Sequence, residues 1–421
     1  MSDFSLAIIV FVATYLIIIS ERLHRTTAAL VGGTLMILLG VLSQDVAFAA
    51  IDLNVIFLLL GMMMIAHLLG ETGVFQWIAL KAVQIGQGRP IPIIIITSIA
   101  AALASALLDN VTVVILISPI MMFVANTLGI SPIPFLLILV MASNIGGAAT
   151  LIGDPPNILI GSAANIDFLP FAANMTPPVL FSLLTFIPIA ILLFRKQLDV
   201  DDDHRHAALL LDSRDVIKEP GLLLQTSLVL VLVLVGFFLH GALGLEPAVI
   251  ALSGATLLLV ITRRNPARFL ESVEWNTLMF FVGLFIMVEA LVSVGVIEEL
   301  ASYFLTATQG NMNVMTMFIL WFSAIASGFI DNIPYTATMI PLIEAVGDAV
   351  SIKPLWWALA LGADFGGNLT LVGASANVVA ASLAERAGYR LTFGAFLKYG
   401  WVIVFVTLII SSIWLNVRYL M

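Results

Sequence analysis

Apolar runs, each about as long as a bilayer crossing requires, begin near residues 4, 27, 51, 132, 177, 222, 247, 274, 354 and 393. They predict ten transmembrane helices. Two further apolar stretches, 91–129 and 312–345, are each interrupted near the middle by an Asp-Asn pair, Asp109-Asn110 and Asp331-Asn332. A carboxylate at the centre of a lipid-facing helix is costly, so each stretch reads as a re-entrant helical hairpin with Asp-Asn at its tip. Two ordinary spans joined by a short loop are the alternative. The expected fold is an all-α polytopic membrane protein.

Composition agrees. Of 421 residues, 61% are apolar and 10% charged; a soluble domain carries about 25% charge, so a water-soluble fold is excluded. The net charge of −9, with no basic cluster, gives no sign of a nucleic-acid partner. The chain has no cysteine, hence no disulfide, thiolate metal site or cysteine nucleophile. The first apolar run has its nearby basic residues, Arg22 and Arg25, after it rather than before, so it reads as a retained helix and not a cleavable signal.

Loop charges set the orientation, because Lys and Arg favour the cytoplasm. With both termini outside, Arg22, Arg25, Lys81, Arg89, Arg195, Lys196, Arg205, Arg214, Lys218, Arg263, Arg264, Arg268, Arg386, Arg390 and Lys398 fall inside, against Lys353 and Arg418 outside. The expected location is the cell's inner (plasma) membrane. The longest loop contains Asp201-Asp202-Asp203-His204-Arg205-His206. It reads as a solvated linker rather than a metal site.

The chain repeats itself. Asp52-Leu53-Asn54 returns as Glu274-Trp275-Asn276, Gly61 and Gly73 as Gly283 and Gly295, and Asp109-Asn110 as Asp331-Asn332, all 222 residues apart. The segments 143–157 and 363–377, 220 apart, share Gly146/Gly366, Gly147/Gly367, Thr150/Thr370, Leu151/Leu371, Gly153/Gly373 and Asn157/Asn377. Polar and glycine matches in one order are not expected of apolar sequence by chance. Residues 1–198 form a first repeat, 199–221 a cytoplasmic linker and 222–421 a second repeat. Each half holds five spans and a hairpin; five is odd, so the repeats are inverted, as in secondary transporters.

Each fifteen-residue segment starts as a membrane helix and breaks. Gly153-Asp154-Pro155-Pro156 stops one helix and starts another, with Asp154 as the expected N-cap. Gly373-Ala374-Ser375 does the same in the second half, with Ser375 as the expected cap. Backbone groups freed there are tolerable only where protein, water or a ligand satisfies them. Asp109 and Asp331, or the Asn beside each, are placed to cap the returning helices, with the hydroxyls of Thr112, Thr336 and Thr338 nearby. Helix N-termini favour anions and unwound carbonyls favour cations.

Candidate substrate- or ion-binding residues are Asp109, Asn110, Thr112, Asn144, Thr150, Gly153, Asp154, Asn157, Asp331, Asn332, Asn368, Thr370, Gly373, Ser375 and Asn377. Proton-coupling candidates are Asp109, Asp331, Asp364 and Glu289, since a carboxylate inside a span is a functional hypothesis by default. The less eventful readings are interhelical bonds for Asn54 and Asn276, a cap for Asp154, a satisfied core histidine for His67, and packing for Met62-Met63-Met64.

With these residues in hand, the sequence resembles the ion transporter superfamily, in the branch holding arsenite efflux permeases, NhaD-type sodium/proton antiporters and the melanosomal P protein. The likeness is carried by Leu107-Leu108-Asp109-Asn110 and Phe329-Ile330-Asp331-Asn332, by Ser143-Asn144-Ile145-Gly146-Gly147 and Ile152-Gly153-Asp154-Pro155-Pro156-Asn157, and by Gly366-Gly367-Asn368 through Gly373-Ala374-Ser375-Ala376-Asn377. It implies a dimeric rocking or elevator-like carrier with its site between hairpin tips and broken helices. The sodium-coupled dicarboxylate branch has Ser-Asn-Thr at its tips, whereas this chain has Asp109-Asn110-Val111-Thr112 and Asp331-Asn332-Ile333-Pro334. That departure weakens the case for carboxylate uptake.

Carboxylates at both tips repel a free anion. A cation or a neutral polyhydroxyl solute suits the site better. The reading is efflux of arsenite or antimonite in exchange for protons, with sodium/proton antiport and sodium-coupled anion transport as alternatives and a channel as the least favoured. No P-loop, H-E-x-x-H or G-x-S-x-G pattern is present. Any ATP drive therefore needs a separate ATPase subunit. No enzyme activity, cofactor or bound metal is expected.

Overall fold

Every predicted span forms a helix in the computed structural model, which describes residues 2–421 apart from 21, 212, 214, 215, 272, 348 and 349, and the side chain of Arg268. The loop charge expected at Arg214 lies outside the described residues, as does the Arg268 side chain. In the first half α1 (Asp3–Ser20), α2 (Arg25–Leu38), the short α3 (Gln44–Ala49), α4 (Leu53–Glu71) and α5 (Val74–Ile85) lead to a hairpin, α6 (Pro90–Leu107) and α7 (Asn110–Thr127). A broken crossing follows, α8 (Ile133–Gly147) and α9 (Pro155–Ala163), then α10 (Phe168–Phe194). The linker carries α11 (Asp202–Leu209). The second half runs α12 (Pro220–Leu243), α13 (Pro247–Thr262), α14 (Pro266–Glu271), α15 (Trp275–Ser293) and α16 (Val296–Thr308). Its hairpin is α17 (Met312–Phe329) and α18 (Asn332–Gly347), its broken crossing α19 (Lys353–Gly366) and α20 (Ser375–Arg386), and its last span α21 (Phe393–Leu415). Among the described residues nine helices are long and apolar enough to cross a bilayer alone. Three of these, α6, α7 and α17, belong to the hairpins; the other six, with the shorter α2 and α13 and the pairs α8–α9 and α19–α20, make up the ten.

Length alone does not distinguish hairpins from full spans, since α6, α7 and α17 each have 18 residues. The tips decide it. Asn110 and Asn332 are each only 2% exposed, and both bond to Asp154 in the middle of the α8–α9 crossing. A tip held halfway along a crossing is at mid-depth, so the hairpins are re-entrant.

The apolar pattern alone did not single out α5 and α16. Each is amphipathic and follows a glycine, Gly73 or Gly295, with φ of 83°. In that left-handed conformation a side chain is strained, so both helices restart at a glycine turn.

Packing repeats as the sequence does. α4 lies along α13 as α15 lies along α2; α6 packs on α8 as α17 packs on α19; α7 meets α20 as α18 meets α9. These contacts divide the helices into two layers. α1, α2, α4, α12, α13 and α15 pack chiefly with one another, and the hairpins, broken helices, α10 and α21 form the second layer. Within it Gly146 is so close to Ala102 that a Cβ would stand 2.2 Å from its carbonyl oxygen, and Gly366 would meet Ala324 O at 2.4 Å. Small residues allow such backbone approach, the main means of helix association in lipid. Pro119 and Pro341, also 222 apart, lie inside the returning helices α7 and α18.

The 201–206 segment is the short helix α11, capped by Asp201, which accepts from His204 N at 2.9 Å. Hydrogen bonds from His204 hold the Asp201 carboxyl below its ordinary range. No metal-type cluster occurs among the described residues. His67 corrects an expectation. It is exposed and faces Glu71 at 3.3 Å, because its position turns outward from the layer α4 packs into. Met62, Met63 and Met64 are buried, as packing residues are.

Overpacking of a close helix contact costs about 1–3 kcal/mol. Gly146→Val and Gly366→Val are each expected to lower the thermal midpoint of the purified protein, read by size-exclusion chromatography after heating. Gly394→Val, where no atom lies within 4 Å of the added Cβ, is the control.

Candidate functional site

Each break frees backbone carbonyls, and one asparagine in each half retrieves them. Asn157 Nδ2 donates to Gly147 O at 3.3 Å and Thr150 O at 3.1 Å. Asn377 Nδ2 donates to Gly367 O at 2.7 Å and Thr370 O at 2.9 Å. The threonines tie each break to its hairpin: Thr150 Oγ1 donates to Ala106 O and Thr370 Oγ1 to Gly328 O, both at 2.5 Å. Gly153 and Gly373 sit in the turns, packed against Gly147 and Gly367. Four of the six identities in the repeat, the two pairs of Asn and Thr positions and the glycines around them, thus build one local structure twice.

The halves are joined through Asn144 and Asp154. Asn144 Nδ2 donates to Asn368 Oδ1 at 3.0 Å and Asn377 Oδ1 at 2.9 Å, and its Oδ1 accepts from Asn110 Nδ2 at 3.3 Å. Asp154 holds the N-cap position of α9 but makes no side-chain cap bond. Its carboxylate instead accepts from Asn110 Nδ2 at 2.7 Å and Asn332 Nδ2 at 3.2 Å, one from each hairpin tip. The cap expectation is therefore corrected: a buried carboxylate between two amide donors gains more from them than from its own helix end.

Ser375 is likewise not the cap of α20; Ala374 is. The Ser375 hydroxyl donates to Asp331 Oδ2 at 2.7 Å and accepts from Arg25 at 2.6 Å. Arg25 also reaches Asp331 Oδ2 at 2.8 Å. The Asp331 tip is thus neutralised by a guanidinium from α2, in the other layer. Asp331 Oδ1 accepts from Ile333 N at 3.1 Å, which agrees with a capping role. Asp109 caps α7, accepting from Thr112 N at 2.8 Å and Thr112 Oγ1 at 3.0 Å. No ion pair to Asp109 is formed among the described residues, and it opens into a cavity of about 480 Å³ shared with Glu274, Thr277, Asn276 and Arg25. A neighbouring cavity of about 350 Å³ holds Arg25, Asp331 and Ser375.

The structure therefore brings all fifteen binding candidates and Asp364 together around tips and breaks, Thr112 by supporting Asp109. Glu289 is separate. It accepts from Ser293 at 3.1 Å and lines a different cavity with Glu298 and Glu344, because α15 carries it away from its own N-terminal end, where Glu274 meets the site. Asn54 is exposed; Asn276 contributes its carbonyl, accepting from Thr26 Oγ1 at 2.8 Å, rather than a side-chain bond. Thr336 Oγ1 is buried without a partner among the described residues, and Thr338 shares a hydrogen bond with Tyr15 of α1 at 2.6 Å.

Arg25 and Glu274 were missed as site residues. Arg25 was legible only as loop charge, yet it is the first residue of α2. A cation at the positive end of a helix dipole is unfavourable, and that misplacement was the available sign of a carboxylate partner. Glu274 was visible only as the repeat of Asp52.

A profile of the citrate transporter family (CitMHS) matches residues 15–362. An uncharacterized transporter of Mycobacterium tuberculosis is 45% identical over 421 residues, covering 98% of each chain. The P protein of Homo sapiens is 30% identical over 501 residues, covering 99% of this chain and 60% of its own. Among solved structures, the YdaH transporter of Alcanivorax borkumensis, described as having an unusual topology, aligns with a TM-score of 0.58 at 14% identity, over 89% of this chain and 87% of its own. That last likeness is one of fold.

Removing one partner of a charged hydrogen bond costs about 1.5–3 kcal/mol. Arg25→Gln is expected to lower thermal stability in detergent by that order, and adding Asp331→Asn to recover most of it. A double variant no more stable than Arg25→Gln would mean that the pair contributes nothing in this state.

Proposed function

The chain belongs to the citrate transporter family, and from that premise we propose that it is a secondary transporter exporting arsenite or antimonite, as the neutral hydroxide, in exchange for protons. The observation that carries this reading is the cavity at the Asp109 tip. It offers acceptors from Asp109 and Glu274, and the guanidinium that lines it, that of Arg25, is already engaged by Asp331. A neutral solute that donates hydroxyl hydrogens adds no charge to such a cavity. A citrate trianion would face Asp109, Glu274 and, behind them, Asp154 and Asp364, with no free guanidinium to hold it. The family description thus supports transport, and the site's charge argues for a different solute.

A second reading, sodium/proton antiport, is favoured by one feature: Asp109 and Glu274 line the same cavity, a pair suited to a desolvated cation. Residues 1–198 and 222–421 act as mirrored halves about the 199–221 linker, and the layer with the hairpins moves against the layer containing α2 and α15. The termini lie outside, in the inner membrane, an orientation that the loop charges favour.

Everted membrane vesicles carrying an imposed pH gradient test the solute. Arsenite or antimonite is expected to dissipate the gradient and sodium not to; the reverse result selects the antiporter. Asp109→Asn is expected to reduce exchange at least tenfold in either case while the protein remains inserted. The absence of native cysteine allows a clean test of sidedness. Single cysteines at Arg205 and Lys353 should react with an impermeant thiol reagent from opposite sides, position 205 in everted vesicles only.

A further inference from the structure

One acid in the centre of the molecule has no donor among the described residues. Asp364, on the last turn of α19, is 1% exposed, and both of its carboxyl oxygens are buried without a hydrogen bond of ordinary geometry. The polar group against it is the side chain of Asn157, which is fully buried. Asn157 cannot turn a donor toward the acid, because its Nδ2 is engaged by Gly147 O and Thr150 O. Its Oδ1 is also buried and unpartnered. Three buried oxygens, two on Asp364 and one on Asn157, thus have no hydrogen-bond partner among the described residues, which costs about 1–3 kcal/mol per unsatisfied group.

The mirrored half shows what is missing. At the repeat-equivalent position stands Asn144, whose Nδ2 donates to Asn377 Oδ1 at 2.9 Å. Asn377 is the equivalent of Asn157, and its Nδ2 is likewise engaged by the carbonyls of its own break. In one direction across the interface the bond is amide to amide. In the other an acid must supply the hydrogen, and only the neutral carboxyl has an O–H to donate. A bound metal cation is a poorer fit. The site offers three oxygens, and none of the cavities found at the tips includes Asp364 or Asn157. A proton needs no such volume.

We propose that Asp364 is a proton-binding site in this conformation, its carboxyl O–H donating to Asn157 Oδ1 and so closing the contact between α19 and α9. Binding adds one proton to the carboxylate and forms one hydrogen bond; release returns the proton and leaves three acceptors unpaired, which loosens the joint between the broken helices of the two halves. The inference deepens the proton-exchange reading above by placing the proton. The ionisable groups of the surrounding elements are few. α8, α9, α10 and α17 carry none. α18 carries Tyr335, bonded to Ser323, and Glu344, in another cavity; α21 carries Tyr399, beside Phe194, and Lys398, over the Tyr399 ring. Asp154, in the break before α9, is the acid close enough to interact with Asp364 by charge.

Infrared spectroscopy of the purified protein at neutral pH tests this without any solute. A carboxylic C=O stretching band that shifts in heavy water is expected in the wild type, lost in Asp364→Asn, and moved to higher frequency in Asn157→Ala, where its acceptor is gone. Asp364→Asn is expected to fold and to be at least as thermally stable as the wild type, because it restores the mirror-image amide pair, while proton exchange in vesicles falls at least tenfold. Spectra of wild type and Asp364→Asn that coincide in the carboxylic region would overturn the proposal. So would an Asp364→Asn protein that no longer folds, since an amide replaces a neutral carboxyl isosterically. If the band behaves as expected but neither arsenite nor sodium moves the pH gradient, the substrate reading fails and the proton site stands.

Discussion

The constraint on which the structure depends is that polar backbone inside a membrane must be satisfied from within. Two helices break in the middle of the bilayer, and each break would be prohibitive if its carbonyls faced lipid. Asn157 and Asn377 remove that penalty by donating both amide hydrogens to the carbonyls they overhang. Thr150 and Thr370 then attach each break to the last turn of a hairpin's first helix. Once these bonds exist, the tips have a fixed place at mid-depth, and the carboxylates on them border the cavities beside α2 and α15.

The two halves share this scaffold but not its charge. The second tip is neutralised by Arg25, while the first faces a cavity with Glu274. One break carries Asp154 where the other has Ala374, and one inner helix ends near Asp364 where the other has Asn144. A backbone built twice with polar groups distributed unequally allows structure and function to be separated. Asn and Thr pairs shared by the halves maintain the breaks, the shared aspartates cap both returning helices, and Asp154 and Asp364 stand where the halves differ.

Arg25 ties the two layers together. It starts a helix in one layer and neutralises a tip in the other. Tyr15 acts in the same direction, bonding from α1 to Pro334 O and Thr338. Both are attachments between layers that would have to move past one another during alternating access. Their bonds belong to this arrangement of the layers, in contrast to the Asn and Thr bonds, which lie inside one layer and can persist through the movement.

Much of this was fixed by the sequence alone. Hydropathy placed all ten crossings, because a bilayer demands long apolar runs, and Asp-Asn within such runs marked both hairpins, because charge is costly in lipid. Matching Gly, Thr and Asn positions revealed the repeat and named the residues that close the breaks. What the sequence left open required distance between remote segments. Asp154 reads as a cap until the two hairpin asparagines arrive from 44 and 178 residues away. His67 reads as core until the outward face of α4 is known, and Glu289 reads as a site residue until α15 is seen to carry it elsewhere. Arg25 reads as loop charge until Asp331 is beside it, 306 residues later in the chain. Local pattern determines which segments enter the membrane and where they break; which polar group meets which is decided only when the layers pack, because the partners lie in different halves.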